Sequence, residues 1–204
     1  MPPTGSPRPS ISVFFPCYND EQTIAGLVRE TDTQLQCAAD DYEIIVVNDG
    51  SRDGSAAVLA GLAASFPRLK VITHPVNRGY GGALRSGFAN ASKDLVFYTD
   101  GDGQYDVKEI PIMLVLLTAD TDFVNGMKMT RSDPAYRVFA GNVHKFMTRW
   151  AFWLPIDDVD CDYRLIRRTV LDAIELHSNS GSICVELVKR AERAGAQFRQ
   201  VSVR

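Results

Sequence analysis

The stretch LVFYTDGDGQYD, residues 95–106, begins as an apolar run and ends in closely spaced carboxylates. Its first half is rich in β-branched and aromatic residues, which is typical of a buried strand. Its second half holds Asp100 and Asp102, with Gln104 two positions further on. If the strand belongs to an open α/β sheet, these residues lie where ligands bind, beyond the carboxyl ends of the strands.

The segments before this stretch alternate between strand and helix patterns. Strand-like apolar runs occupy residues 11–15, 42–48 and 69–73. Helix-like segments separate them, and the first is expected to be capped by Asn19 or Asp20 and to run to about Cys37. The other two cover residues 54–65 and 81–91. This alternation predicts an α/β fold with a Rossmann-like, mostly parallel central sheet and helices on both faces.

The second half of the chain has a less regular pattern. It predicts helices over residues 107–118, within 134–153, over 169–177 and over 182–194, strands over 122–126 and 197–203, and a strand or turn over 160–168. Asp106 is expected to cap the first of these helices. We expect a loose, proline-rich tail over residues 1–9 and a single domain over residues 10–204.

Composition limits the possible functions. A chain of 204 residues, 45% hydrophobic and 23% charged, fits one globular domain. The net charge of −3 provides no general basic field, so no nucleic-acid partner is expected. The four cysteines show no CxxC pairing, which favours reduced thiols in the cytosol. The longest apolar run, residues 110–117, is far short of the roughly 20 residues that a membrane helix needs.

Each of the four predicted strands in the first half is followed by a polar loop. These loops are PCYND, NDGSRDG, HPVNRGYGG and DGDGQYD, which begin at positions 16, 48, 74 and 100. Such residues are also common in ordinary turns. Four loops of this kind at one edge of a sheet instead favour a polar small-molecule site.

The spacing of Asp100 and Asp102 favours a metal site. In extended backbone, residues two apart point the same way, so both carboxylates can reach one point. Their charges repel unless a cation or a proton separates them. Mg²⁺ or Mn²⁺ fits these oxygen ligands, and Gln104 can add its amide oxygen. An EF-hand is excluded because Tyr105 and Pro111 occupy the positions of its glycine and its bidentate glutamate.

Six motifs together resemble glycosyltransferase family 2, of the GT-A fold, and in particular its dolichol-phosphate or polyprenyl-phosphate hexose synthase branch. They are PCYNDE, VVNDGSRDGS, NRGYGGALRSGF, DGDGQYD, GMKMTRSDPAYR and DDVDCDYRLIRR. The resemblance covers about residues 10–204. The chain departs from the family pattern at three positions: Asp20 is inserted before Glu21, Asn48 replaces an aspartate, and Asp162 replaces a glycine.

The resemblance implies an inverting, metal-dependent enzyme. It would move a hexose from a nucleotide-sugar donor, of the GDP-mannose or UDP-glucose type, to a polyprenyl phosphate at the cytoplasmic face of a membrane. Roles in the nucleotide-sugar pocket are implied for residues in or close to all four loops. These are Pro16, Tyr18, Asn19, Glu21, Asp49, Asp53, Asn77, Gly79, Arg85, Asp100, Gly101 and Asp102. Asp100, Asp102 and Gln104 would hold the metal. Because relatives often continue past the position where this sequence ends, we expect the chain to be part of a longer protein.

The acceptor is left open by the sequence. Arg131, Arg137 and Arg164 could bind a lipid phosphate, which needs cations but no base. Alternatively, Asp158 could take the proton of a saccharide or other hydroxyl acceptor. A third possibility is a non-catalytic domain that binds a nucleotide sugar and regulates a partner, although intact metal ligands argue against it.

Other polar and aromatic residues have weaker interpretations. The aromatic residues within 134–153 fit either the core or a peripheral contact with a membrane surface. Glu186 fits either the acceptor side or an ordinary helix surface. His74, His144 and His177 are expected to be structural or solvent-exposed.

Overall fold

A seven-stranded sheet forms the centre of the computed structural model, which describes residues 8–128 and 154–203. Its strands are β1 (Ser10–Cys17), β2 (Asp41–Asn48), β3 (Leu69–Thr73), β4 (Leu95–Thr99), β5 (Phe123–Lys128), β6 (Tyr163–Arg167) and β7 (Phe198–Val203). In space they follow the order β3-β2-β1-β4-β6-β5-β7. The chain order therefore reverses between β1 and β4, and ligands of open α/β sheets bind at such a point.

Most neighbouring strands are parallel, as predicted. β1 pairs in parallel with β2 and β4, β2 with β3, and β5 with β7. β6 is the exception, because it runs antiparallel to both β4 and β5. The segment that the sequence left as strand or turn is therefore a strand. Its register places Tyr163 opposite Thr99, so Asp162 and Asp100 lie at the same end of this strand pair.

The described helices lie between the strands in the predicted order. They are α1 (Ile24–Ala38), α2 (Ser55–Ser65), α3 (Tyr80–Asn90), α4 (Ile110–Leu116), α5 (Arg168–Asp172) and α6 (Ile183–Arg193), with a 3₁₀ turn over Val107–Glu109 before α4. Asp106 caps this turn through its side chain, which accepts a hydrogen bond from the Lys108 backbone N–H, as predicted. No helix in the described ranges is long and apolar enough to cross a membrane.

Helices cover both faces of the sheet, because successive strand residues point to opposite sides. On β1, Val13 and Phe15 pack in one buried cluster with α1, α2 and α4. Phe14, between them, packs in a second buried cluster with α3, α5 and α6. The predicted α/β fold with helices on both faces is confirmed.

The largest differences from the predicted helix boundaries occur at two places. The helix predicted over residues 169–177 ends at Asp172, and at the far end of that range His177 and Ser178 donate their backbone N–H groups to the Glu186 carboxylate. Helix α1 begins after Thr23, and no side chain caps it. Asp20 contributes its backbone carbonyl oxygen there, while its carboxylate accepts the Tyr18 N–H. The aromatic segment within 134–153 lies outside the described residues.

Candidate functional site

The four polar loops meet around a cavity of about 340 Å³ at the carboxyl ends of β1, β2 and β4. Eight of the predicted pocket residues line it: Pro16, Tyr18, Asp49, Asn77, Gly79, Asp100, Gly101 and Asp102. Cys17, Asp20, Tyr80 and Ala83 complete the lining. The sheet edge therefore brings together residues from all four predicted loops.

Asp100 follows β4 in a crowded acidic setting. The Tyr80 hydroxyl donates a 2.8 Å hydrogen bond to its Oδ1. Burial raises the pKa of Asp100 to about 7, and the negative charges of Asp162 and Asp102 add to the rise, while the Tyr80 hydrogen bond opposes it. The positive charge of the nearby Arg164 also opposes the rise without cancelling it, so a bound cation would supply further compensating charge.

Asp102 lies beside Asp100 at the mouth of the cavity and is exposed. Its Oδ1 accepts the backbone N–H of Gln104 at 2.9 Å, which leaves Oδ2 for a ligand. Between the two aspartates, a Cβ on Gly101 would lie 2.6 Å from the carbonyl oxygen of Pro16. The loop can therefore pack this closely on the end of β1 only with glycine at this position.

The oxygen atoms of this site fit a divalent cation that binds together with the phosphates of a substrate. Within residues 8–128 and 154–203, no group of three His, Cys, Asp or Glu side chains could hold a metal by itself. Asp100 and Asp102 would supply two carboxylates, which is the number Mg²⁺ typically takes beside substrate phosphates and water. The predicted third ligand, Gln104, is engaged elsewhere, because its Oε1 accepts a 2.9 Å hydrogen bond from Lys128 Nζ.

Three predicted pocket residues tie the first two loops together instead of lining the cavity. Asn19 has a positive φ of 61°, and its side-chain oxygen accepts the Arg52 N–H at 2.8 Å. The Glu21 carboxylate accepts the Gly54 N–H at 2.6 Å. Asp53 in turn accepts the Glu21 N–H at 3.1 Å. These bonds fix the loop after β1 against the loop after β2.

The third loop is held close to the second by Asp49. Its Oδ1 accepts the Arg78 N–H at 2.9 Å and lies 2.5 Å from His74 Nδ1. Gly79 adopts a φ of 81°, and a Cβ there would lie 2.4 Å from the carbonyl oxygen of Asn179, so glycine is required. The predicted pocket residue Arg85 lies outside the cavity lining, and its Nη2 donates to Asn179 Oδ1 at 2.6 Å.

The prediction that Arg164 binds an acceptor phosphate is wrong. Its side chain has 0% exposure and lies inside the fold, on the strand β6. The guanidinium donates to Asn125 Oδ1 at 2.9 Å, to the Tyr98 hydroxyl at 2.6 Å and to the Val159 carbonyl at 2.5 Å. With these bonds made in the interior, the side chain serves the sheet and does not face a ligand.

The other acceptor residues are placed as follows. Asp158 is only 3% exposed and does not belong to the cavity lining, while its backbone carbonyl accepts a hydrogen bond from Asn125 Nδ2 at 2.9 Å. Arg131 and Arg137 lie outside the described residues. The Glu186 carboxylate accepts the Ser178 N–H in the loop before α6 and pairs with Arg190 on the same helix. These contacts agree with an ordinary position of Glu186 on the helix surface.

Sequence reasoning assigned no role at the site to Tyr80 or Asp20, and it expected His74 to be structural or solvent-exposed. Tyr80 holds Asp100, His74 holds Asp49, and Asp20 lines the cavity near Asp102, whose charge adds to the burial that raises the pKa of Asp20. A signal existed for Asp20, which stands beside two predicted pocket residues. For Tyr80 and His74, the residue type alone gives no pointer to a role at the site.

Similar proteins are found by sequence and by structure. The chain is 31% identical over 180 residues to an undecaprenyl-phosphate 4-deoxy-4-formamido-L-arabinose transferase of Sodalis glossinidius, covering 87% of this chain and 55% of the relative. It is 35% identical over 166 residues to the transferase of the same name from Erwinia tasmaniensis, covering 80% of this chain and 51% of the relative. The chain thus spans about half the length of these curated relatives.

Solved structures share the fold at lower sequence identity. Glucosyl-3-phosphoglycerate synthase from Mycobacterium tuberculosis, solved with Mn²⁺, UDP-glucose and phosphoglyceric acid, superposes with a TM-score of 0.73. Its identity is 21%, over 95% of this chain and 69% of the synthase. The likeness establishes the GT-A type of fold.

A family model decides the classification. The model of glycosyl transferase family 2 matches residues 12–175, which include all four loops of the cavity. With this match and relatives above 30% identity, the chain belongs to glycosyl transferase family 2.

Proposed function

We propose that this chain is the catalytic domain of an inverting, metal-dependent glycosyltransferase that moves a sugar from a nucleotide-sugar donor to a polyprenyl phosphate. The observation that carries the proposal is the cavity in which Asp49, at the end of β2, and the Asp100–Asp102 pair, at the end of β4, flank the end of β1. The two acidic positions are two strand spacings apart, or about 10 Å. A nucleoside at Asp49 can therefore extend its diphosphate toward Asp100 and Asp102.

The donor end of the proposed reaction depends on the Asp100–Asp102 pair, which lies at the end of β4 and lines the cavity. A divalent cation held by Asp100 and Asp102 would neutralise the charge that develops on the departing diphosphate. Tyr80 keeps Asp100 oriented through the 2.8 Å hydrogen bond. The structural relative from Mycobacterium tuberculosis was solved with Mn²⁺ and UDP-glucose, which supports a cation of this class, either Mn²⁺ or Mg²⁺, and a sugar-nucleotide donor.

The choice of acceptor is supported by the names of the curated relatives and by the position of Asp158 outside the cavity lining. The curated relatives are named for transfer to undecaprenyl phosphate. A phosphate acceptor is already an anion, so it needs no group to remove a proton. The burial of Asp158 outside the cavity lining supports such an acceptor, because a base for a hydroxyl acceptor would have to reach that hydroxyl. A lipid acceptor would place the domain against the cytoplasmic face of a membrane.

The test is a transfer assay with purified protein, undecaprenyl phosphate in detergent, Mn²⁺ and a panel of UDP- and GDP-sugars. The expected product is the lipid phosphate carrying the sugar, detected by mass spectrometry. Because a phosphate needs no base, we expect Asp158→Asn to keep its rate within about threefold. Asp102→Asn should lose at least about a hundredfold, since it removes a metal ligand.

Two outcomes would contradict the proposal. Transfer to a saccharide hydroxyl but not to the lipid phosphate, with Asp158→Asn inactive, would assign the hydroxyl acceptor instead. Donor binding without transfer to any acceptor would assign a non-catalytic binding domain. Thermal unfolding of both variants controls for a loss of folded protein.

A further inference from the structure

Asp49 is a buried carboxylate in the cavity, at the position where the proposed function puts the nucleoside. It directly follows β2, is 3% exposed, and belongs to the cavity lining. Its backbone N–H donates to the Cys17 carbonyl at 2.9 Å, which fixes it against the end of β1. A carboxylate held this rigidly can select among ligands by which hydrogen-bond donors they present.

The two oxygens of Asp49 have different surroundings. Oδ1 accepts two hydrogen bonds, from His74 Nδ1 at 2.5 Å and from the Arg78 N–H at 2.9 Å. No donor among the described residues bonds to Oδ2. Because an ionised carboxylate only accepts hydrogen bonds, Oδ2 is the atom that remains for a donor group on a ligand.

His74 holds this arrangement from behind the cavity. Its ring is 4% exposed, and its Nε2 lies 2.8 Å from the Ser86 hydroxyl on α3. Since Asp49 can only accept, Nδ1 carries a hydrogen, and in the neutral ring Nε2 then accepts from Ser86. Neither His74 nor Ser86 lines the cavity, so both act on a ligand only through Asp49.

We propose that His74, oriented by Ser86, is a positioning residue that leaves Asp49 a single free oxygen and thereby selects a nucleotide base with one N–H donor. The inference rests on the proposed nucleotide-sugar donor and names the base. Uracil presents one imide N–H between two carbonyls, which matches one free carboxylate oxygen. Guanine presents two adjacent donors, which would need both oxygens. The geometry therefore favours a uridine donor over a guanosine donor.

The experiment compares UDP with N3-methyl-UDP, which lacks the imide hydrogen, by calorimetry in the presence of Mn²⁺. Wild-type protein should bind UDP about 10–100-fold more tightly, the usual effect of one hydrogen bond to a charged group. His74→Ala should bind UDP about tenfold more weakly and distinguish the two nucleotides by less than about threefold. His74→Asn, whose amide N–H can stand in for Nδ1–H, should restore most of the preference.

Ser86→Ala gives an independent test because it leaves the His74 ring in place. It should weaken UDP binding by about two- to fivefold without a change in N3-methyl-UDP binding. Thermal unfolding and circular dichroism of every variant confirm the fold. If His74→Ala does not fold, Ser86→Ala and His74→Asn decide the question.

The outcomes separate the inference from the proposed function. If His74→Ala and Ser86→Ala bind UDP and discriminate against N3-methyl-UDP as the wild type does, His74 has no positioning role, while the transferase proposal stands. Tighter binding of GDP than of UDP by the wild-type protein overturns the assignment of uracil, and the transferase proposal again stands. Wild-type protein that binds no nucleoside diphosphate in Mn²⁺ overturns both proposals.

Discussion

Replacing Arg164 with methionine tests whether this arginine serves the interior of the sheet. Methionine keeps the unbranched aliphatic chain but removes the hydrogen bonds of the guanidinium to Asn125, Tyr98 and Val159. Their acceptors, Asn125 Oδ1, the Tyr98 hydroxyl oxygen and the Val159 carbonyl oxygen, lie in the interior and lose these donors. Each buried group without a partner costs about 1–3 kcal/mol. The substitution also removes the positive charge that lies 3.7 Å from Asp162.

We therefore expect Arg164→Met to lower the free energy of unfolding by about 3–5 kcal/mol, the range for breaking a buried ion pair from one side. Equilibrium urea unfolding, followed by fluorescence, gives the value. Arg199→Met is the matched control, because Arg199 is an exposed residue of the strand β7. Its cost should be within about 0.5 kcal/mol of zero. Equal effects of the two substitutions would refute the structural role of Arg164.

Three further predictions concern the loops, the thiols and the metal. Gly101→Ala should lower the free energy of urea unfolding by about 1–3 kcal/mol, because the added Cβ meets a backbone oxygen. Gly61→Ala is the control: this glycine faces open space on α2, so the substitution should stabilise the protein by about 0.5–1 kcal/mol. Equal values for the two variants would contradict the packing of Gly101. Iodoacetamide at pH 8 should modify the exposed Cys37 in native protein, as peptide mass spectrometry would show. Cys17 should react only after unfolding, because burial and the neighbouring Asp20 raise its pKa to about 11. Mn²⁺ at about one hundred times its dissociation constant should add about 2.7 kcal/mol of stability in thermal unfolding, and Asp102→Asn should abolish this gain; an unchanged gain would exclude Asp102 as a ligand.

The sequence predicts the first half of the fold well because each local pattern agrees with the position of its segment in the folded structure. The strands 11–15, 42–48 and 69–73 are apolar runs between helix patterns, and all three are found close to the predicted bounds. Parallel strands buried on both faces need such runs. The polar loops after them were also expected at one edge, and the cavity contains residues of each.

The roles of individual polar side chains could not be predicted in the same way. Arg164 looks like a phosphate ligand in the sequence, but the antiparallel pairing of β6 with β4 and β5 carries it into the core, and this pairing depends on contacts far apart in the chain. His74 gives no sequence signal, because its partners Asp49 and Ser86 lie 25 and 12 positions away. Such contacts follow from topology and not from local spacing.

We propose that Asp100 and Asp102 hold the diphosphate of a sugar nucleotide through a divalent cation. The most direct measurement is a calorimetric titration of wild-type protein and Asp102→Asn with UDP, each with and without Mn²⁺. We predict that Mn²⁺ strengthens UDP binding at least tenfold in the wild type and by less than about twofold in the variant. Equal affinity of the wild-type protein for UDP with and without Mn²⁺ would contradict the claim.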